Sequence, residues 1–174
     1  MSVRESREYN AIVAYYGDAR AARSHVPLIA HVDEGLAILD AIGATDAAKR
    51  AFCLHPLVQA DADLAENAAR LGEFSGDVYV MALAMEYRNV ANATLSHRVI
   101  ASADDIPLSP LADVNAMLVA DKVQNRKDFE HHHRGTHPRS AELARYFALW
   151  LERLGVDEAR YAELAVLAGA RRAS

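Results

Sequence analysis

Cysteine is almost absent from this sequence, since Cys53 is the only one among 174 residues. A single cysteine between Phe52 and Leu54 excludes a disulfide framework, and it favours a buried structural thiol in a reducing compartment. Glycine and proline are also scarce, with eight and five residues, and no stretch rich in either divides the chain. We therefore expect an ordered protein with one domain over residues 1–174.

Long uncharged apolar runs are missing too, so the sequence predicts no membrane-spanning helix and no membrane partner. Residues 1–8 carry charges of both signs and lack the apolar centre of a signal peptide, which predicts a soluble cytoplasmic protein. The net charge of −5 argues against nucleic acid as the main partner. The basic residues that do cluster, around Arg23 and over 122–134, suit a small anion better than a duplex.

Apolar residues make up 52% of the chain, and they recur at helical spacing rather than in the alternation typical of strands. The fold class predicted from this pattern is all-α, a single bundle of about seven or eight helices. The predicted helices cover about 3–23, 28–42, 45–54, a segment between 59 and 72, 77–97 and 109–134. Two more follow, one from Pro138 to Gly155 and one from Asp157 onward. The last helix is expected to face inward with Tyr161, Leu164, Val166 and Leu167.

Particular residues are expected to start and stop these helices. Thr45, Ser109 and Asp157 are predicted N-terminal caps, and Gly43 is a predicted stop. Pro56 has no backbone N–H, so the helix that carries His55 should end or kink there.

The segment from Val119 to Phe129 places polar side chains in an otherwise apolar helical run. Asp121 and Asn125 are four residues apart and share one helix face, which the preceding apolar residues turn toward the interior. A buried carboxylate is costly unless it is paired or binds a metal. Pairing of Asp121 with an arginine or a lysine and coordination of a metal are both open at this point.

Histidine is the other residue type that could carry chemistry. His31 follows Pro27 and His55 stands before Pro56, although a lone histidine beside apolar residues is more often a hydrogen-bonded core residue than a ligand. The consecutive histidines 131–133 point about a third of a turn apart on a helix, so they cannot converge on one metal. We expect those three to be mostly solvated, with contact between one of them and an anion left open.

The order His31, then His55, then Asp121 within Ala-Asp-Lys-x-x-Asn resembles the HD-domain metal phosphohydrolases. The resemblance is closest to the RelA/SpoT-type (p)ppGpp hydrolases, including their small stand-alone versions. It covers nearly the whole chain and is carried by four stretches, which are residues 23–31, 51–59, 109–129 and 145–154.

The resemblance implies a divalent metal ion, one of Mn, Zn, Fe or Co, held by His31, His55 and Asp121. It also implies a small anionic, nucleotide-like ligand whose phosphate and sugar or base are bound by four residues, Arg23, Lys122, Asn125 and Arg126.

The sequence departs from the family pattern at three acidic positions. Pro56 replaces the aspartate of the His-Asp dyad, and Gln59 and Ala60 replace the Glu-Asp pair that acts on the attacking water. Gln59 can orient a water but cannot take its proton at neutral pH. The nearest carboxylates that could replace the missing acids are Asp61 and Asp63, so these two and Gln59 are the candidate catalytic residues.

Two functions follow as alternatives. One is an HD-type metal-dependent phosphohydrolase that acts on a nucleotide or (p)ppGpp-like phosphoester; the other is a catalytically inactive nucleotide-binding protein of the same fold that senses or sequesters its ligand. A helical scaffold without a small ligand is a third, weaker alternative. A homo-oligomer is compatible with all three, because the apolar helix from Met81 to Tyr87 could form a dimer face.

Overall fold

The computed structural model describes residues 2–170, and within them the backbone is mainly helical. Its α-helices are α1 Arg7–Tyr16, α2 Ile29–Ala41, α3 Asp46–Val58, α4 Asp61–Asn67, α5 Leu71–Phe74, α6 Val78–Ala93, α7 Ala112–His132, α8 Ser140–Arg153 and α9 Glu158–Ala170. Over this range no β-strand forms, although Arg20 and Pro27 make one isolated β-bridge. Eight of the helices span seven residues or more, so the prediction of an all-α protein with seven or eight helices is confirmed.

Several predicted helix boundaries are confirmed by hydrogen bonds. The Thr45 hydroxyl accepts a bond of 3.1 Å from the Ala48 backbone N–H and caps α3. Asp157 caps α9 in the same way, since its carboxylate accepts a bond of 2.8 Å from the Arg160 N–H. Gly43 adopts a positive φ of 68°, which suits a glycine just beyond the end of α2.

Other boundaries differ from the prediction. The first helix was expected to reach Arg23 but ends at Tyr16, because Gly17 takes a φ of 48° that a right-handed helix cannot continue through. Ser109 does not cap α7, which begins three residues later at Ala112. Its hydroxyl instead donates to Glu86 at 3.0 Å, a partner on another helix that sequence spacing could not reveal.

The end of one helix and the buried face of another also differ from the prediction. α3 was expected to end or kink near His55 but continues through Pro56 to Val58. On α9, Val166 and Leu167 were expected to face inward but are 72% and 46% exposed. The inward positions of α9 are Tyr161, Leu164 and Ala168, which follow the three-and-four spacing of a single helix face.

One hydrophobic core extends from Ile12 on α1 to Ala168 on α9. The apolar stripe of α6 contributes to it, because Leu83 and Tyr87 are fully buried. Dimerisation through that stripe stays a prediction. No helix within residues 2–170 is long and apolar enough to cross a membrane.

Helices α2 and α3 approach each other closely at Gly35. A Cβ atom built at Gly35 would lie 2.2 Å from Cε1 of the Phe52 ring, far inside contact distance. Gly35 lies one helical turn after His31, and Phe52 lies three residues before His55. The missing side chain at position 35 therefore lets the two histidines come within reach of each other.

Substituting Gly35→Ala should lower the free energy of unfolding by about 1 kcal/mol or more. Alanine is favoured over glycine inside a helix by about 0.5–1 kcal/mol, but overpacking against a ring in a dense core typically costs about 1–3 kcal/mol. Gly72→Ala is the matched control, because Gly72 is also helical and a Cβ there meets nothing within 4 Å. Urea unfolding of both variants would contradict this account if Gly35→Ala were as stable as Gly72→Ala.

Candidate metal centre

Three helices bring His31, His55 and Asp121 together at one point. His31 is on α2, His55 on α3 and Asp121 on α7, and one potential ligand atom from each lies within 4.8 Å of the other two. His31 Nε2 is 3.1 Å from His55 Nε2 and 3.5 Å from Asp121 Oδ1. The convergence expected from the sequence is therefore confirmed, and across residues 2–170 no other such group of His, Cys, Asp or Glu forms.

The proton of the His31 ring is placed by a network on α7 and α2. The Gln124 amide nitrogen donates to the carboxylates of Glu34 at 3.1 Å and Asp128 at 2.9 Å. Because ionised carboxylates only accept, this fixes the amide so that its oxygen faces His31 Nδ1, 2.7 Å away. His31 must then carry its proton on Nδ1, which leaves the Nε2 lone pair directed at the site.

The proton of His55 is placed by the backbone of its own helix. Pro56 has no N–H, so the carbonyl of Phe52, four residues earlier, lacks its usual helical donor. His55 Nδ1 lies 2.6 Å from that carbonyl oxygen and donates to it. The proline that replaces the expected acid thus leaves a backbone acceptor that fixes the tautomer of His55, and its Nε2 lone pair also faces the site.

Two lone pairs that face each other at 3.1 Å repel unless a cation lies between or beside them. Both ring protons are already committed to other acceptors, so the neutral rings cannot bond to each other. An extra proton on His55 is opposed because burial lowers the pKa of His55 to about 3. A proton on His31 Nε2, which lies 3.1 Å from His55 Nε2 and 3.5 Å from Asp121 Oδ1, is the competing way to join the two rings. A metal ion differs from that proton in that it can accept both lone pairs and the Asp121 carboxylate as ligands.

Asp121 supplies negative charge at the same point. Burial opposes its ionisation, but Lys122, through its charge and its hydrogen bond, and the two histidines together outweigh burial and lower the pKa of Asp121 to about 2. The Lys122 amine donates to Oδ2 at 2.8 Å, and the Asn125 amide donates to Oδ1 at 2.8 Å. Pairing with a lysine, one of the two alternatives open in the sequence, is therefore present, and coordination of a metal by Asp121 stays a prediction.

The donor set and its spacing fit a divalent first-row metal. Two imidazole nitrogens and one carboxylate oxygen are ligands that such ions accept while keeping positions open for water or substrate. In a tetrahedral site with metal–ligand bonds of ~2.0–2.1 Å, neighbouring donors are about 3.3 Å apart. Two of the three separations, 3.1 and 3.5 Å, are close to this value, and the separation between the His55 and Asp121 donors is within 4.8 Å.

A cavity of about 440 Å³ opens over these three residues. Of the other predicted site residues, Gln59, Lys122 and Asn125 line it, and so does Pro56. The Lys122 amine is buried 4.9 Å from the centroid of the Trp150 ring, and it lies beside Asp121 in the wall of the cavity.

The remaining predicted site residues lie outside this cavity. Arg23 is exposed on the segment between α1 and α2. Arg126 donates to both carboxylate oxygens of Glu158, at 2.8 and 2.7 Å, and to Glu130 at 2.9 Å. Asp61 and Asp63 line a neighbouring cavity instead. The structure therefore gives Arg126 a structural ion pair, and it places both replacement carboxylates away from the metal ligands.

Sequence reasoning missed the residues that hold the ligands in place. Gln124 is three residues after Asp121 on α7, and Glu34 is three residues after His31 on α2. This spacing puts each on the same helix face as a ligand, which was an available signal. The Phe52 carbonyl had a signal too, because a proline inside a helix always frees the carbonyl four residues earlier.

Comparison with known proteins does not assign this chain to a family. No protein-family model matches the chain, and searches of curated proteins and of solved structures gave no significant match. The likeness to HD-domain enzymes seen in the sequence stays a prediction. Function has to be inferred from the contacts of the site itself.

Substituting Gln124→Leu should weaken divalent metal binding by about 10- to 100-fold, the usual effect of removing a group that orients a ligand. Leucine has no acceptor for His31 Nδ1–H, so the ring can place its proton on Nε2 and lose the donor lone pair. Gln59→Leu removes an amide from the same cavity without touching a histidine and should leave metal affinity unchanged. Competition with a fluorescent chelator measures both, and equal affinities in the two variants would contradict the tautomer argument.

Proposed function

We propose that this protein is a divalent-metal-dependent phosphohydrolase of the HD type that acts on a nucleotide or a (p)ppGpp-like phosphoester. The observation that carries the proposal is the pair of facing Nε2 atoms of His31 and His55, whose Nδ1 protons are committed elsewhere, beside the ionised Asp121. The order of these three residues along the chain supports the HD type.

Different residues around the site would bind the metal, orient its ligands and orient a water. A bound divalent metal would supply Lewis-acid stabilisation of phosphoryl oxygens and would lower the pKa of a coordinated water. Asn125 and Lys122 keep the carboxylate of Asp121 ionised and oriented. Gln59 lines the cavity and can orient a water through its amide. The cavity volume of about 440 Å³ suits a small ligand of nucleotide size.

A second candidate function, nucleotide binding without turnover, is favoured by a specific observation. Asp61 and Asp63, the candidates nearest in sequence for the missing acids, do not line the metal cavity, and Asp63 accepts a hydrogen bond of 3.0 Å from the Tyr15 hydroxyl. Gln59 cannot take a proton at neutral pH. General-base help is worth about two to four powers of ten, so an HD site without it would hydrolyse slowly.

The two functions separate in one assay. Metal-free protein is reloaded with Mn²⁺, Zn²⁺, Fe²⁺ or Co²⁺ and mixed with a panel of nucleotides that includes ppGpp, and phosphate and pyrophosphate release are measured beside binding. We expect metal-dependent release, reduced in Asp121→Asn to the level of the metal-free protein because that variant keeps the side-chain shape but lacks the charge. Binding without release would favour the second candidate. Neither binding nor release in the metal-loaded protein would reject both.

A further inference from the structure

A second cavity, of about 600 Å³, lies beside the metal cavity. The two share four lining residues, Tyr16, Pro56, Gln59 and Leu95, so they form neighbouring compartments of one depression. The part of the second cavity that is not shared includes two arginines, Arg88 and Arg98, and the two carboxylates Asp61 and Asp63. None of the predicted ligand-binding residues lines this compartment.

Arg88 is poorly compensated for a buried cation. Its side chain is only 16% exposed, and within residues 2–170 its ion-pair partner is Asp61, whose side chain is 95% exposed. The Nε–H of Arg88 is buried and has no hydrogen-bond partner there. The N–H groups of a buried guanidinium normally donate to a well-ordered carboxylate or phosphate, because a buried charged donor without an acceptor costs free energy. Arg98, exposed at the same cavity, adds a second positive charge.

We propose that Arg88, assisted by Arg98, forms an anion subsite for a phosphate group, and that Asp61 is the counter-ion which this phosphate displaces. An ion pair with a carboxylate this exposed contributes little, about 0–1 kcal/mol, so a ligand can replace it. A phosphate offers several acceptors and can bond Nε–H and Nη–H of one guanidinium together. In this proposal Asp61 is not a catalytic base. It is the anion that competes with the phosphate for Arg88.

The phosphate in this subsite belongs to the same ligand that the metal centre holds. That part of the inference rests on the proposed function, since it follows from the shared wall of the two cavities. The anion subsite itself does not depend on a metal. Free inorganic phosphate has the same chemistry and provides the probe that tests the subsite separately.

The test compares two neighbouring charge removals, Asp61→Asn and Asp63→Asn. Both residues are on α4 and line this cavity, so each variant changes the overall charge equally, but only Asp61 pairs with Arg88. Inorganic phosphate is titrated calorimetrically into the full-length, metal-free protein in the presence of a chelator. We expect Asp61→Asn to bind phosphate about two- to fivefold more tightly than Asp63→Asn, the factor that corresponds to losing an exposed competing ion pair.

Arg88→Gln should weaken phosphate binding by about tenfold or more, because a charge-assisted bidentate contact is lost. Equal phosphate affinities in Asp61→Asn and Asp63→Asn would overturn the counter-ion role even if Arg88→Gln did not fold. In the metal-loaded protein, Arg88→Gln should also weaken binding of a nucleoside diphosphate, whose two phosphates can occupy the metal centre and the subsite together. Full affinity there would overturn the assignment to a ligand phosphate and leave an inorganic phosphate site. The first titrations contain no metal, so they test the anion subsite even if the proposed hydrolase function is wrong.

Discussion

The contact between His31 Nε2 and His55 Nε2 is the interaction on which the rest of the site depends. At 3.1 Å, two nitrogen lone pairs face each other in a pocket where His55 is almost fully buried. Between two neutral rings this contact is repulsive, so it needs a cation. Burial disfavours a proton on His55, which leaves a metal ion or a proton on His31 as the cation. Asp121, ionised beside Lys122, adds the negative charge that a divalent cation needs.

The chain fixes the two histidine tautomers by different means. On one side, Glu34 and Asp128 orient the Gln124 amide, and the amide orients His31. On the other side, Pro56 frees the Phe52 carbonyl for His55. Both arrangements are built on the interior of long helices, which hold donor atoms more precisely than loops do. The close approach of α2 to α3 over Gly35 then sets the distance between the rings.

Much of the fold follows from local sequence rules. Helical spacing of apolar residues predicted the helices, and the side chains of Thr45 and Asp157 cap α3 and α9 as expected. The order of His31, His55 and Asp121 predicted their convergence. Boundaries that depend on another helix were missed, as at Ser109, whose hydroxyl is taken by Glu86.

The polar surroundings of the site were less predictable, because they depend on which helix faces meet. Arg126 stands next to Asn125 in the sequence, yet only Asn125 turns toward Asp121 while Arg126 pairs with Glu158. Asp61 is five residues from Pro56, yet α4 directs it to Arg88 in the second cavity. Pro56 was correctly expected to remove a backbone donor, but its effect on His55 required the position of the ring.

The most direct test of the account is metal content and metal coordination in protein purified without a histidine tag. The account predicts one first-row metal ion per chain, with X-ray absorption showing two imidazole nitrogens at ~2.0–2.1 Å and a carboxylate oxygen. Replacing the three histidines 131–133 with asparagine should leave this signal intact, whereas His31→Ala should remove it. Metal that disappears with the 131–133 substitutions and persists in His31→Ala would contradict the central claim.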